Sequence, residues 1–228
     1  MELNTIEKFL LLAHHPKKAG FISSLTYINT GFAGSVFLEL ALLDKISIKK
    51  RRVFVKNNDK NVDHSFLNEV LSVIIEKDKP RTLKSCILSL YRKRSSHIWV
   101  FLEEMEAKKL VRIENKRFLW LIPYKKNVLI NKAAQKLLIT ELKSKIKNQQ
   151  NLTAQDRALF GLIEACKLYP NFSSQRKERK EIEQQIKRNL LDNSPIENSI
   201  DDAVHQTIKI TIATMYLTVY YVSSGGTR

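Results

Sequence analysis

The chain contains few of the residues from which several protein classes build their sites. Only two of its 228 residues are cysteines, Cys86 and Cys166. They lack metal-ligand spacing and lie in apolar, helix-compatible stretches, which argues against a disulfide framework and predicts buried, reduced thiols in a cytoplasmic protein. The sequence has no Pro- or Ser-rich linker and no long low-complexity tract. We therefore expect residues 1–228 to form a single domain.

The sequence also lacks the usual catalytic motifs. Its five histidines, at positions 14, 15, 64, 97 and 205, form no pair on one helical face beside a carboxylate, as metal-dependent hydrolysis requires. The segment 31–34, Gly-Phe-Ala-Gly, is not followed by the Lys-Ser/Thr of a phosphate loop. No serine lies in a nucleophile elbow. We predict a protein that is not an enzyme and uses no metal, cofactor or small-molecule substrate.

Export and membrane-spanning signals are absent as well. The chain opens directly on an amphipathic helix, without the basic region and apolar block of a secretory signal. The most membrane-like segment, 210–222, is interrupted by three threonines and is shorter than the roughly 20 residues that a spanning helix needs. We expect this segment to be a buried core helix and the protein to be cytoplasmic.

Positive charge is the feature that is abundant. Lysine and arginine number 39 against 23 acidic residues, a net charge of +16, which favours a polyanionic partner such as a phosphate backbone or an anionic lipid surface. The basic clusters lie at 17–18, 49–52, 92–94, 112–117 and 125–126. Trp99 and Trp120 lie near two of these clusters. We expect Trp99 itself to pack in the core.

Hydrophobic periodicity and capping signals predict a mainly α fold with two small β-hairpins. The predicted helices are 4–14, 24–43, 62–76, 82–91, 98–108, 131–147, 153–168, 174–191 and 199–223. Ser95 or Ser96 is the expected cap of the fifth helix. Val-Phe-Leu-Glu occurs at 36–39 and again at 100–103, each time in a helix followed by a short basic alternating stretch, 44–55 and 109–120. Each unit predicts a helix and a hairpin with a cationic tip.

Several segments in order resemble the Golgi phosphoprotein 3 family. They are 3–12, 31–42, 66–71, 102–111, 156–159 and 200–213. The resemblance covers nearly the whole chain and implies a single, mainly helical domain. It also implies binding of phosphatidylinositol 4-phosphate on a flat basic face and a peripheral position on the cytosolic leaflet of a membrane. The Lys-, Ile- and Asn-rich composition, with no arginine-bearing tail before the domain, leads us to expect a bacterial member without the coat-bridging role of eukaryotic ones.

The resemblance also places a head-group pocket. The pocket tryptophan of the family falls near Ser24, with Phe21 as the nearby aromatic residue, and its glycine-flanked arginine falls at Ala33. Its two arginines one helical turn apart fall at about Ser95 and Ile98. Alanine cannot replace a bidentate arginine, so we expect anionic lipid binding without phosphoinositide specificity. The predicted binding residues are Lys17, Lys18, Phe21, Ser24, Ala33, Arg92, Lys93, Arg94, Ser95, His97 and Ile98.

The second hairpin is expected to project from the domain, over about 112–121. The resemblance implicates it in self-association, and it is apolar enough to enter a bilayer, so we expect a homo-oligomer. The residues expected to make this contact are Arg112, Lys116, Arg117, Phe118, Leu119, Trp120 and Leu121.

Two other functions fit the same residues. The helix-hairpin units could be winged-helix modules on nucleic acid, with 98–108 as the recognition helix. That helix offers Glu103, Glu104 and Glu106 where base reading requires Arg, Lys, Asn or Gln. The third possibility is a protein-interaction scaffold whose charge only keeps it in solution.

Overall fold

A computed structural model describes residues 2–56, 62–76, 79–92, 94–118, 121–148, 152–192 and 204–211. Within these ranges the fold is mainly α-helical, with two antiparallel two-stranded sheets, which confirms the predicted fold class. The elements are α1 Thr5–Ala13, α2 Leu25–Leu42, β1 Ile46–Lys49, β2 Arg52–Val55, α3 Ser65–Ile75, α4 Leu83–Arg92, α5 Arg94–Ala107, β3 Val111–Phe118, β4 Ile122–Leu129, α6 Lys132–Asn148, α7 Ala154–Ala165 and α8 Arg176–Asp192. A short 3₁₀ turn follows α7, and residues 204–211 are helical.

Helix α2 is the centre of the fold. Every residue from 30 to 40 is buried, and a helix that is apolar on all sides belongs in a core. It packs against α1, α4 and α7. Gly31 leaves room for Phe9 and the Cys166 thiol, and Gly34 leaves room for Ile208. By length and composition α2 could cross a membrane, but 67% of it is buried inside the fold.

Two predicted capping boxes are present. Asn4 Oδ1 accepts a hydrogen bond from the Glu7 amide at 2.9 Å, and the Glu7 carboxylate accepts one from the Asn4 amide. Thr153 and Asp156 make the same reciprocal pair at the start of α7. These bonds satisfy amides that a helix leaves unpaired at its N-terminus, so both helices begin where the sequence indicates.

Two predicted boundaries are wrong. Helix α5 begins at Arg94, with a single position between it and the end of α4, so Ser95 and Ser96 lie inside the helix and neither caps it. Helix α7 ends at Ala165 rather than near residue 168, because Lys167 has a left-handed φ of 56°. The predicted turn at 57–60 and the predicted cap at 199–202 lie outside the described residues. So does most of segment 210–222.

The first hairpin confirms its prediction, whereas the second is longer than expected and extends to residue 129. The prediction placed both strands within 109–120, but β3 alone occupies 111–118 and pairs with β4 at 122–129. Segment 123–127, which lies beyond the predicted hairpin, belongs to β4. Proline is tolerated there because both strands of a two-stranded sheet are edge strands, and Pro123 stands opposite Arg117 near the turn.

Candidate functional site

An open cleft lies where the loop after α1, the start of α2, the end of α4, helix α5 and strand β4 meet. It has a volume of about 670 Å³. The residues that line it are Ala19, Gly20, Phe21, Ser23, Ser24, Leu25, Thr26, Asn29, Tyr91, Ile98, Trp99, Leu102, Lys125, Lys126 and Asn127. Serine hydroxyls, aromatic rings and two ammonium groups therefore share one concave surface, a composition typical of ligand sites.

The loop at one side of the cleft is held by backbone hydrogen bonds. The His15 amide donates to the Gly20 carbonyl at 2.9 Å, and the Gly20 amide donates to the Asn127 carbonyl of β4 at 2.8 Å. The His15 ring nitrogen Nδ1 accepts from the amides of Lys17 and Lys18, both at 3.0 Å. Gly20 has a φ of 88°, which favours glycine. The loop is thereby fixed to the hairpin.

His14 forms the base beneath this loop. Its side chain is completely buried, and Nδ1 lies 2.7 Å from the Leu10 carbonyl oxygen. Burial lowers the pKa of His14 to about 4, although hydrogen bonds with Leu10 and Asn127 oppose the shift. His14 is therefore neutral at neutral pH, and its ring packs 4.8 Å from that of Phe21. It supports the cleft by packing and adds no charge.

Strand β4 supplies the cations of the cleft. Lys125 Nζ lies 5.6 Å from the centre of the Trp99 ring and 3.1 Å from Glu103 Oε1. Lys126 Nζ lies 5.6 Å from the Tyr124 ring. Such cation–π contacts contribute about 0.5–1 kcal/mol at exposed sites, so they help to orient each ammonium group, and Lys125 is in addition paired with Glu103. Within the described residues, Lys126 has no carboxylate partner.

The predicted binding residues divide among different places. Phe21, Ser24 and Ile98 line the cleft, and Lys17 and Lys18 are exposed on the adjoining loop. The structure thus brings together five of the eleven residues, from two separate segments of the chain, 17–24 and residue 98.

The others lie elsewhere. Ala33 is completely buried inside α2 and has no access to a ligand, which corrects its prediction as a binding residue. His97 packs 4.8 Å from the Phe66 ring and borders a small apolar cavity among α3, α4 and α5. Arg92 lines a separate groove on α4. Lys93 and the side chains of Arg94 and Ser95 lie outside the part of the structure that is described.

The predicted hairpin residues are exposed where they are described. Arg112 and Lys116 lie 2.9 and 3.3 Å from the Glu114 carboxylate, and these hydrogen bonds, Arg112 first, lower the pKa of Glu114. Arg117 is exposed, and Leu121 is 84% exposed. The Phe118 side chain, Leu119 and Trp120 lie outside the described residues.

Sequence reasoning missed most of the residues that line the cleft, and the missed residues with polar or aromatic side chains include Tyr91, Lys125, Lys126 and Asn127. The basic pair at 125–126 was visible in the sequence, but it lay beyond the predicted hairpin, and nothing in the sequence placed it beside a pocket. Trp99 also departs from expectation, because it is half-buried and lines the cleft instead of packing wholly in the core.

Helix α5 gives the nucleic-acid alternative no support. Phe101, Leu102 and Met105 are completely buried, so one face of the helix belongs to the core. Glu104 contacts His64, and Glu106 accepts a hydrogen bond from the Ile113 amide at 2.6 Å. A recognition helix instead presents donors toward the groove of DNA.

The fold and the cleft define a class of protein: a mainly helical domain with a long exposed hairpin and a cleft lined by basic and aromatic side chains. The sequence matches the family model for Golgi phosphoprotein 3 (GPP34) over residues 6–209. The chain therefore belongs to the Golgi phosphoprotein 3 family, as the resemblance predicted. A comparison with curated proteins gave no match. In the part of the chain that the structure describes, no three His, Cys, Asp or Glu side chains cluster as metal ligands.

Proposed function

We propose that the protein is a non-enzymatic peripheral membrane protein that binds anionic lipid head groups in the cleft. The observation that carries this proposal is the position of Lys125 and Lys126, which line an open cleft together with the aromatic residues Trp99 and Tyr91. Membership of the Golgi phosphoprotein 3 family supports it. Lys17 and Lys18 extend the positive surface along the neighbouring loop.

The cleft is suited to recognising charge more than a particular phosphate pattern. Its described lining contains lysines and serines but no arginine. A lysine ammonium acts as a compact point charge, whereas an arginine guanidinium fits two phosphate oxygens at once. Each basic side chain near an anionic membrane contributes about 1 kcal/mol, and the contribution falls with salt. We therefore propose binding to anionic lipids in general, without selectivity for phosphatidylinositol 4-phosphate.

The hairpin extends this proposal to the bilayer. Leu121 and Ile122 are 84% and 60% exposed, and they lie on the same hairpin as the cleft lysines. Burying a leucine or isoleucine side chain contributes about 1.5–3 kcal/mol. These residues would enter the lipid when the lysines meet the head groups, and self-association through the same tip is the alternative use.

The test is co-sedimentation with vesicles of phosphatidylcholine alone, with added phosphatidylserine, and with added phosphatidylinositol 4-phosphate. We expect equal binding to the two anionic compositions when their charge is matched, weakened between low salt and about 0.15 M salt. Lys125→Glu with Lys126→Glu should abolish it. Lys132→Glu with Lys136→Glu is the matched control, because these exposed lysines of α6 reverse the same charge away from the cleft.

Three results would contradict the proposal. Equal loss in the two double variants would show that only net charge matters. A strong preference for the phosphoinositide would show that the cleft reads phosphate positions. Retention of duplex DNA without any vesicle binding would favour the nucleic-acid alternative.

A further inference from the structure

A second basic concavity lies along α4, and we call it the α4 groove. It has a volume of about 420 Å³ and is lined by Arg81, Thr82, Lys84, Ser85, Leu88, Ser89 and Arg92. None of these residues lines the cleft, although Tyr91 of the same helix does. The groove therefore combines two guanidinium groups, an ammonium group and three hydroxyls at a separate place.

The turn of the first hairpin is fixed beside the start of this groove. The Leu83 amide donates to the Arg51 carbonyl at 2.8 Å, and the Val53 amide donates to the Arg81 carbonyl at 3.0 Å. The Arg52 guanidinium donates to the Pro80 carbonyl at 2.7 Å. These bonds attach the basic residues 49–52 to the N-terminal end of α4, so the hairpin and the groove form one positive surface.

The cations of this surface are not neutralised within the described structure. They are Lys49, Lys50, Arg51, Arg52, Arg81, Lys84 and Arg92, and none forms a salt bridge with a described carboxylate. Elsewhere the chain does pair its lysines, as Lys145 does with Asp156 at 2.8 Å. Like charges held together repel one another, so an anion bound among them would relieve this repulsion.

The hairpin turn is also strained. Lys50 and Arg51 have φ values of 48° and 58°, and together they form the two-residue connection between β1 and β2. A turn with positive φ at both positions strongly favours Asn-Gly. For other residues the left-handed conformation is unfavourable. Strained residues often mark functional sites, and here the strained residues are cationic.

We propose that the α4 groove, together with the 50–51 turn, is a second anion site that holds phosphate groups. Guanidinium groups and hydroxyls both match phosphate oxygens. The α4 groove has both kinds of group, whereas the described lining of the cleft has hydroxyls but no guanidinium. The contact is made by side chains, since the Leu83 amide already donates to Arg51 and the Ser85 amide to Thr82 Oγ1. A lipid phosphate and a soluble phosphate ester share this chemistry.

The first experiment titrates inorganic phosphate into the full chain at constant ionic strength and follows backbone amides by NMR. We expect saturable shifts in residues 83–92. Lys84→Glu with Arg92→Glu should weaken this binding by about tenfold or more. The α6 variant Lys132→Glu with Lys136→Glu should leave it unchanged, and so should the cleft variant Lys125→Glu with Lys126→Glu, which separates the two sites.

The second experiment identifies the source of the phosphate. Vesicles of phosphatidylcholine with phosphatidic acid present a phosphomonoester on a membrane, and a requirement for Lys84 and Arg92 in binding them would assign the groove to lipid. If the groove bound inorganic phosphate but vesicle binding did not require Lys84 and Arg92, the groove would be assigned to soluble phosphate esters. Absence of saturable shifts in α4, or equal shifts in the Lys84→Glu, Arg92→Glu variant, would overturn the proposal. If the protein retained duplex DNA but showed no saturable shifts with inorganic phosphate, the proposed phosphate site would be overturned in favour of a nucleic-acid site.

Discussion

At the scale of single residues, Lys50 and Arg51 occupy a backbone conformation that asparagine and glycine adopt more easily. Replacing them by Lys50→Asn and Arg51→Gly should relieve the turn and stabilise the fold by about 1 kcal/mol. In a chain of this length that gain raises Tm by about 2–4 °C. The same variant should bind inorganic phosphate more weakly, because it loses two cations. Thermal unfolding and the phosphate titration measure the two effects.

Lys49→Asn is the matched control for the turn variant. Lys49 is exposed in β1 and is not among the residues with positive φ, so its replacement removes a charge without relieving strain. Its effect on stability should stay within about 0.5 kcal/mol. A turn variant no more stable than the wild type would show that the turn holds no strain worth relieving.

His14 gives a second prediction at this scale. Burial lowers its pKa to about 4 from 6.5, so the unfolded chain takes up a proton at a higher pH than the folded one does. Stability should therefore be unaffected by His14 above pH 6.5 and fall by about 3 kcal/mol as the pH drops to 4. His14→Phe should remove this part of the pH profile. Parallel urea-unfolding profiles for the two proteins between pH 7 and 4 would contradict the assignment.

At the scale of elements, the close contact among α1, α2 and the end of α7 depends on Gly31. A Cβ atom at this position would lie within 2.5 Å of Phe9 Cζ and would also overlap the Cys166 thiol. Gly31→Ala should therefore destabilise the fold by about 1–3 kcal/mol through overpacking. Cys166→Ala should restore part of that loss in the double variant, since it vacates one side of the clash. Urea unfolding of the four proteins measures this coupling.

A control for Gly31→Ala is available at Ala134, a partly buried residue of α6. Ala134→Gly removes one methyl group from a helix and should cost about 1 kcal/mol by helix propensity alone. If Gly31→Ala proved neutral or stabilising, the helices would be able to separate at little cost, and the close approach would not be specified by this glycine.

The elements also show how far the sequence predicts the structure. Periodicity and capping boxes predicted the helices because these signals are local, as at Asn4 and Thr153. Strand β4 was missed because its pairing with β3 outweighs the local preference of Pro123 for a loop. The cleft was predicted only in part, since Lys125 reaches it through that pairing and through the Gly20–Asn127 hydrogen bond. Long-range contacts of this kind leave no local pattern in the sequence.

At the scale of the whole molecule, the helical segment 204–211 attaches to the core through both apolar and charged contacts. Val204 and Ile208 are completely buried, and Ile208 occupies the space that Gly34 leaves open. Beside them the buried Glu164 of α7 accepts a contact from His205 Nε2 at 2.7 Å and one from Lys209 Nζ at 3.3 Å. The Glu164 carboxylate therefore adds two charged contacts to the apolar ones that attach the last described segment to the core.

Glu164→Gln should weaken this attachment strongly. Burial alone would raise the pKa of Glu164, but the hydrogen bond and charge of His205 and the charges of Lys209 and Lys167 lower it to about 2. Removing one partner of a buried ion pair typically costs about 3–5 kcal/mol. We expect a loss of that size at pH 7, measured by urea unfolding, with faster amide hydrogen exchange in residues 204–211.

The pH dependence distinguishes this ion pair from simple packing. A carboxylate with a lowered pKa stabilises the fold fully above about pH 4.5, and that contribution is lost as the pH falls toward 2. The difference in stability between wild type and Glu164→Gln should therefore shrink over that range. Glu141→Gln, which changes an exposed pair with Lys145, should cost less than about 1 kcal/mol at every pH. If the difference in unfolding free energy between wild type and Glu164→Gln stayed constant down to pH 2, shape and not charge would hold the segment in place.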